Sequence, residues 1–130
     1  MIPFLEKIQK DVVIFDGAMG TMLYDRGLFI NTCYDNVNLS DPGLVQSIHE
    51  EYVRAGVDVI ETNTFGANEI RLGAYGLAEQ TGEINRKAVA LAKNAVLAAG
   101  KTSDACYIAG SMGPIIAPNQ MWQQRFEESL

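Results

Sequence analysis

Cysteine is scarce in this chain: only Cys33 and Cys106 occur among 130 residues, far apart and in no CxxC arrangement. That spacing argues against a disulfide framework or a thiolate metal cluster and makes a cytoplasmic setting the expectation. Basic residues are also few, 10 Lys and Arg against 16 Asp and Glu, for a formal net charge of −6. With no Lys/Arg cluster, nucleic acid and anionic membrane surfaces are excluded as expected partners. No apolar run is long enough to span a bilayer. The opening MIPFLEKIQKDVVIF is too short in its apolar part, and too interrupted by charge, to be a signal peptide. The single histidine, His49, leaves little material for His-based chemistry.

What remains is enough for one packed domain. Hydrophobic residues make up 48% of the chain and charged residues 20%, which separates it from disordered sequences. No linker or low-complexity stretch divides residues 1–130, so a single domain is expected.

Three segments, VVIFDGAMGT, VDVIETNTFGAN and CYIAGSMGP, pass from an apolar run into polar, glycine-containing residues. They recur at roughly 46–49-residue intervals with helical periodicity between them. Strands are expected at Val12–Phe15, Val57–Thr62 and Cys106–Ala109. The first is continuously apolar, as a parallel strand covered on both faces would be. Helices are expected over Pro3–Lys10, Thr21–Arg26, from Pro42 to a stop at Gly56, over residues 69–75, over 81–99, and from Gln120 to Leu130. A polar loop is expected between Arg26 and Asn38. Ser40 or Asp41 should cap the Pro42 helix, whose stripe of Leu44, Val45, Ile48 and Tyr52 should face inward. In the Ala-rich helix, Ile84, Ala88, Leu91, Ala92, Ala95 and Val96 should be buried, with Gly100 as terminator. Strands joined by long helical crossovers pair in parallel, so the class is α/β with helices outside.

In such folds ligands bind beyond the carboxyl ends of the strands. Asp16 and Gly17 end the first strand, Glu61-Thr62-Asn63-Thr64 the second, and Ser111 the third. A carboxylate beside exposed backbone N–H groups suits a zwitterion, the carboxylate taking an ammonium and the N–H groups a carboxylate. An Asp-Gly after a strand is often merely a turn, but polar residues at all three strand ends favour a site. Neither GxxxxGK nor GxGxxG is present, so a phosphate loop is not supported. Ser111, His49 and Asp16 invite comparison with a hydrolytic triad. His49, however, falls mid-helix on the outside of this architecture, where a surface or half-buried side chain is expected. Cys106 reads as a core thiol and Cys33 as a loop residue with no ligand partners nearby.

FDGAMGTML, CYDNVNLSDPGLVQSIHEEYVRAGVDVIETNTFGANEIRLGAYGL and AGSMGP resemble the homocysteine S-methyltransferase family. The likeness is strongest to the homocysteine-binding domains of cobalamin-dependent methionine synthases and of bifunctional homocysteine methyltransferase/methylenetetrahydrofolate reductases. It runs from about Val12 to Pro114. The resemblance implies a TIM barrel of which residues 1–130 would be the first three βα units. It implies homocysteine as substrate, with its sulfur held as thiolate on a zinc ion bound by cysteines of later strands. It also implies a methyl donor such as methylcobalamin or methyltetrahydrofolate, and downstream cobalamin, folate or reductase modules as partners. By the family pattern Asp16 and Gly17 hold the amino-acid end of homocysteine. Thr62, Asn63, Thr64 and Phe65 line the pocket, and Ser111 and Gly113 lie near it. Cys33 and Cys106 do not match the zinc positions, so no metal ligand or catalytic residue is expected here, and a chain of three units should be inactive alone. The competing expectation is an amino-acid-binding module completed by self-association through exposed sheet edges.

Overall fold

Helix formation follows local chemistry closely in the middle of the chain. In this computed structural model, which describes residues 2–102 and 105–115, the side chain of Asp41 accepts from the Leu44 N–H at 3.2 Å. Pro42 occupies the first turn, and the helix runs Pro42–Ala55 before Gly56 closes it at φ 98°. Asp41, not Ser40, is therefore the cap, a contact that stabilises a helix by about 1 kcal/mol. The Ala-rich helix spans Thr81–Ala98, and Gly100 follows with φ 76°.

In chain order the elements are α1 (Phe4–Lys10), α2 (Met19–Asp25), a 3-10 turn (Tyr34–Asn36), α3 (Val37–Ser40) and α4 (Pro42–Ala55). Then come β1 (Val59–Glu61), α5 (Glu69–Gly73), a second 3-10 turn (Ala78–Gln80), α6 (Thr81–Ala98) and β2 (Tyr107–Ala109). Strands β1 and β2 pair in parallel, Val59 with Tyr107, Ile60 with Ile108 and Glu61 with Ala109.

The first expected strand is reduced to a flank. Phe15 makes one parallel bridge to Val59. The Asp58 and Val59 N–H groups donate to Ile14 O at 2.8 and 3.1 Å, and the Asp16 N–H donates to Val59 O at 3.0 Å. The segment thus lies along β1 on the edge opposite β2. Its apolar side chains are not covered on both faces: Val12 is 88% and Ile14 57% exposed. The described residues supply helices for only part of this sheet, so the segment is apolar without being buried. The architecture is mixed helix and parallel sheet, consistent with part of a barrel.

The core lies between α4, α6 and the strands. Leu23, Val37, Val45, Ile48 and Leu91 form one buried cluster. Val53, Ile60, Ala92, Val96 and Cys106 form a second. All six residues expected to face inward on α6 are buried, and its alanines let the helix approach α4 closely. On α4, Val45 and Ile48 are fully buried whereas Leu44 and Tyr52 are only partly so.

Two expectations are corrected. The polar loop through Asn38 ends in a 3-10 turn and α3, in which Val37 and Asn38 are buried. His49 is fully buried instead of lying at the surface or half-buried, and among the described residues neither ring nitrogen has a hydrogen-bond partner. Helix α4 is packed by α2 and α3 as well as α6, so it has less outer face than a barrel helix exposed to solvent. The helix expected at Gln120–Leu130 lies outside the described residues. Among those described, no helix is long and apolar enough to cross a membrane.

Candidate functional site

Three backbone segments meet at the carboxyl end of the sheet because they leave adjacent strands there. They enclose a cleft of about 490 Å³. Asp16, Gly17, Thr62, Asn63, Thr64, Phe65 and Ser111 all line it. Gly113 does not line it; its N–H donates to Phe65 O at 2.9 Å, and a Cβ there would collide with that same carbonyl. It acts as a backbone latch on the loop after β1.

That loop is fixed by a closed circuit of hydrogen bonds. The Thr64 hydroxyl donates to Ser111 O at 2.8 Å, which leaves the Thr62 hydroxyl to donate to Thr64 Oγ1 at 2.7 Å. Thr62 Oγ1 in turn accepts from the Ser111 N–H at 3.2 Å. Both threonines are buried, so each hydroxyl meets its donor and acceptor needs within the protein. Their role is to join the second strand end to the third.

At the floor of the cleft, both carboxylate oxygens of Asp16 face the Glu61 N–H, at 3.1 and 3.0 Å. Burial, with the Glu61 carboxylate adding to it, pushes the Asp16 carboxyl up to about 6 against the pull of that N–H. Ser111 Oγ donates to Glu61 Oε2 at 3.1 Å. Two carboxylates therefore share one corner of the cleft, and a cation entering there relieves their repulsion. Gly17 packs against Tyr52: a Cβ at this position would stand 2.9 Å from the Tyr52 hydroxyl.

Tyr34 and Asp35 also line the cleft, and Asn38, outside the lining, braces the loop after β1. Asp35 accepts from the Gly66 N–H at 2.9 Å, and a Cβ on Gly66 would lie 2.5 Å from Asp35 Oδ2. Burial raises the Asp35 carboxyl above its ordinary range, while the Gly66 N–H opposes the shift. Asn38 donates to Asn63 O at 2.7 Å. Asn63 donates to Tyr34 O at 2.7 Å and to Asn38 Oδ1 at 3.2 Å. Ile30, Cys33, Arg71 and Tyr75 complete the wall. The only advance sign of these partners was the polar run CYDNVN, which as a local pattern signals a loop.

These residues do not fit a zinc ion. Among the described residues no three His, Cys, Asp or Glu side chains converge as metal ligands. Burial raises the Cys33 thiol, favouring its protonated form, and Cys106 is a core residue whose Sγ lies 3.5 Å from Tyr107 O. No step is therefore derived through a metal.

The arrangement can be set beside known proteins. The chain is 34% identical over 116 residues to the methionine synthases of Mycobacterium tuberculosis and Mycobacterium leprae, an overlap of 85% of this chain and 10% of theirs. The metallated form of the homocysteine methyltransferase MmuM from Escherichia coli superposes with a TM-score of 0.71 at 31% identity, over 83% of this chain and 40% of that one. The oxidized form gives 0.72 at 32%, over 85% and 39%. The chain thus spans about a tenth of the length of the curated relatives and about two fifths of the solved ones. Residues 13–128 match the family described as homocysteine S-methyltransferase, a span that contains every strand end of the cleft. The chain belongs to the homocysteine S-methyltransferase family.

Proposed function

We propose that the cleft holds the amino-acid end of homocysteine, as the substrate-binding part of a TIM-barrel domain that methylates homocysteine to methionine. The observation that carries this reading is the Asp16–Glu61 corner. An α-ammonium there would meet an ionised Asp16 and a neighbouring carboxylate, both positioned by backbone and Ser111 hydrogen bonds. Thr62, Asn63, Thr64 and Phe65 form the wall along the substrate, with Ser111 and Gly113 holding that wall in place. The methyl group would come from a cobalamin- or folate-borne donor carried by other modules. Zinc, with its cysteine ligands, would be supplied by residues other than those of this chain.

Two outcomes follow. The 130-residue chain binds homocysteine in calorimetry but transfers no methyl group and retains no stoichiometric zinc. Methyl transfer by this chain, or one tightly held zinc per chain, would refute the division of labour. Binding strengthens as pH rises through about 6, because the carboxylate form of Asp16 is the one that pairs with the ammonium. Asp16→Asn removes this pH dependence and weakens binding about tenfold or more, the scale of a lost charge-assisted hydrogen bond.

A second reading, an amino-acid-binding module completed by self-association, draws support from the exposed apolar flank at Val12 and Ile14. Sedimentation separates the two: a dimer that binds homocysteine only when associated favours the module.

A further inference from the structure

Helix α1 has no fully buried residue, yet its ties reach the foot of all three strand segments. The Phe4 ring packs edge-on against Phe15, with centroids 6.3 Å apart, and against Tyr107 at 5.3 Å. The Tyr107 hydroxyl donates to Ile2 O at 2.6 Å. Lys7 Nζ stands 3.5 Å from Asp58 Oδ1, and Asp58 Oδ2 accepts from the Ile14 N–H at 3.0 Å. The strand register tells which face α1 covers. Val59 is paired with Phe15 on one side and Tyr107 on the other, so these three side chains share a face. Ile60, one residue on, belongs to the buried cluster with Val53 of α4 and Ala92 and Val96 of α6. The Phe15–Val59–Tyr107 row therefore lies on the face turned away from those helices. Phe4 touches both ends of the row and so spans Val59, which is 1% exposed. The next row on that face is Glu61 with Ala109, about 7 Å higher at the usual rise per residue. The Glu61 N–H is the one that the Asp16 carboxylate takes. Phe4 is thus the layer directly beneath the Asp16–Glu61 corner.

We infer that α1 is a plug: Phe4 seals the sheet face below the cleft, keeps water from the Asp16–Glu61 corner on that side, and so is a positioning residue for the ammonium end of the bound amino acid. The inference rests on the amino-acid reading above and adds the residue that keeps its corner dry. Phe4 acts through Asp16 and Glu61 without touching the ligand. Water rising through the foot would screen both carboxylates and weaken their hold on a cation. Burial is the leading cause of the raised Asp16 carboxyl, and the Phe4 layer supplies the apolar cover on this face. The other ionisable groups that sense Asp16 are Glu61 on β1, Tyr52 on α4 and Cys106 beside β2, none of them on α1. A substitution at Phe4 therefore changes the hydration of the corner and leaves its charges in place.

The test follows the Asp16 carboxyl by carbon NMR through a pH titration of the 130-residue chain without ligand. The unsubstituted chain should titrate near 6, and Phe4→Ala should move that midpoint part of the way to the ordinary 3.8. Tyr107→Phe, which removes the tie to Ile2 O and keeps the ring, should move it the same way by less, and it decides the matter if Phe4→Ala does not fold. Leu5→Ala, at a side chain of α1 that is 70% exposed, should move nothing. In calorimetry Phe4→Ala should bind homocysteine several-fold more weakly at pH 7, and its affinity should fall off at a lower pH than that of the unsubstituted chain. A merely structural loss would weaken binding at every pH and leave the Asp16 midpoint in place. An Asp16 that titrates near 3.8 in the unsubstituted chain, that stays near 6 in both variants, or that moves as far in Leu5→Ala overturns the plug alone. Failure of the unsubstituted chain to bind homocysteine overturns both the amino-acid reading and the positioning role built on it, even where the midpoint moves.

Discussion

Replacing His49 by leucine should make this protein more stable at pH 7 and reverse its response to mild acid. The imidazole is fully buried, and both nitrogens lack partners among the described residues. A polar group so placed costs stability until it is removed, and an apolar side chain of similar size restores the packing. Burial also lowers the imidazole from 6.5 to about 4. In the unfolded chain His49 takes up its proton as pH falls through 6.5, whereas the folded chain resists until about 4. The unfolded state therefore binds more protons across that window. Stability is fully present above 6.5, declines on acidification, and levels off below about 4, a loss of about 3 kcal/mol from this group.

Asp16 opposes it. Its folded-state value is raised from 3.8 to about 6, so between those limits the folded state binds the extra proton and acidification stabilises. Asp16 is partly solvated, which makes its slope the shallower of the two. The native chain should therefore lose only modest stability between pH 6.5 and 4. His49→Leu should turn that loss into a gain, and Asp16→Asn should steepen it. Urea midpoints at pH 7, 5.5 and 4.5 for the three proteins decide the matter. An unchanged acid slope in His49→Leu would mean that the ring is hydrated or partnered in solution.

His49 also marks where local reasoning stops. Helix α4 was legible because its signals are local: Asp41 and Pro42 at one end, Gly56 at the other, apolar residues at helical spacing between. The same holds for α6. The side chain of His49 depends on how many other elements pack on α4, which periodicity does not encode. Val12–Phe15 fails for a related reason. Its composition describes a strand buried on both faces, but burial needs neighbours, and the described residues leave Val12 and Ile14 open. The strand-end residues Asp16, Thr62 and Ser111 were legible as a site because a parallel sheet brings successive strand ends together. Asp35 and Asn38, which hold the loop after β1, were not, since side chains that bond across 31 and 25 residues look, one by one, like turn residues.

Asn38 yields the second large effect. It is fully buried, and Asn63 is nearly so. The Asn38 side chain bonds Asn63 twice: it donates to the backbone carbonyl of Asn63 at 2.7 Å and accepts from Asn63 Nδ2 at 3.2 Å. Asn38→Ala removes both partners at once and opens a void, leaving a buried carbonyl without its donor. Each deficit is of the kind that costs about 1–3 kcal/mol, so a total of roughly 2–4 kcal/mol is expected. For a domain of this size that lowers the melting midpoint by about 10–20 °C. Asn94→Ala, on the exposed face of α6, should stay within about 0.5 kcal/mol of the unsubstituted chain. Asn38→Asp is the sharper probe. It keeps the acceptor for Asn63 Nδ2 but loses the donor to Asn63 O and adds a buried charge, so it should destabilise at pH 7 at least as much as alanine does. Because Asn63 precedes Thr64 and Phe65 in the cleft wall, Asn38→Ala should also weaken homocysteine binding although Asn38 is absent from the cleft lining. A variant that melted like the unsubstituted chain would show that the loop after β1 is held by the Thr62, Thr64 and Ser111 circuit alone.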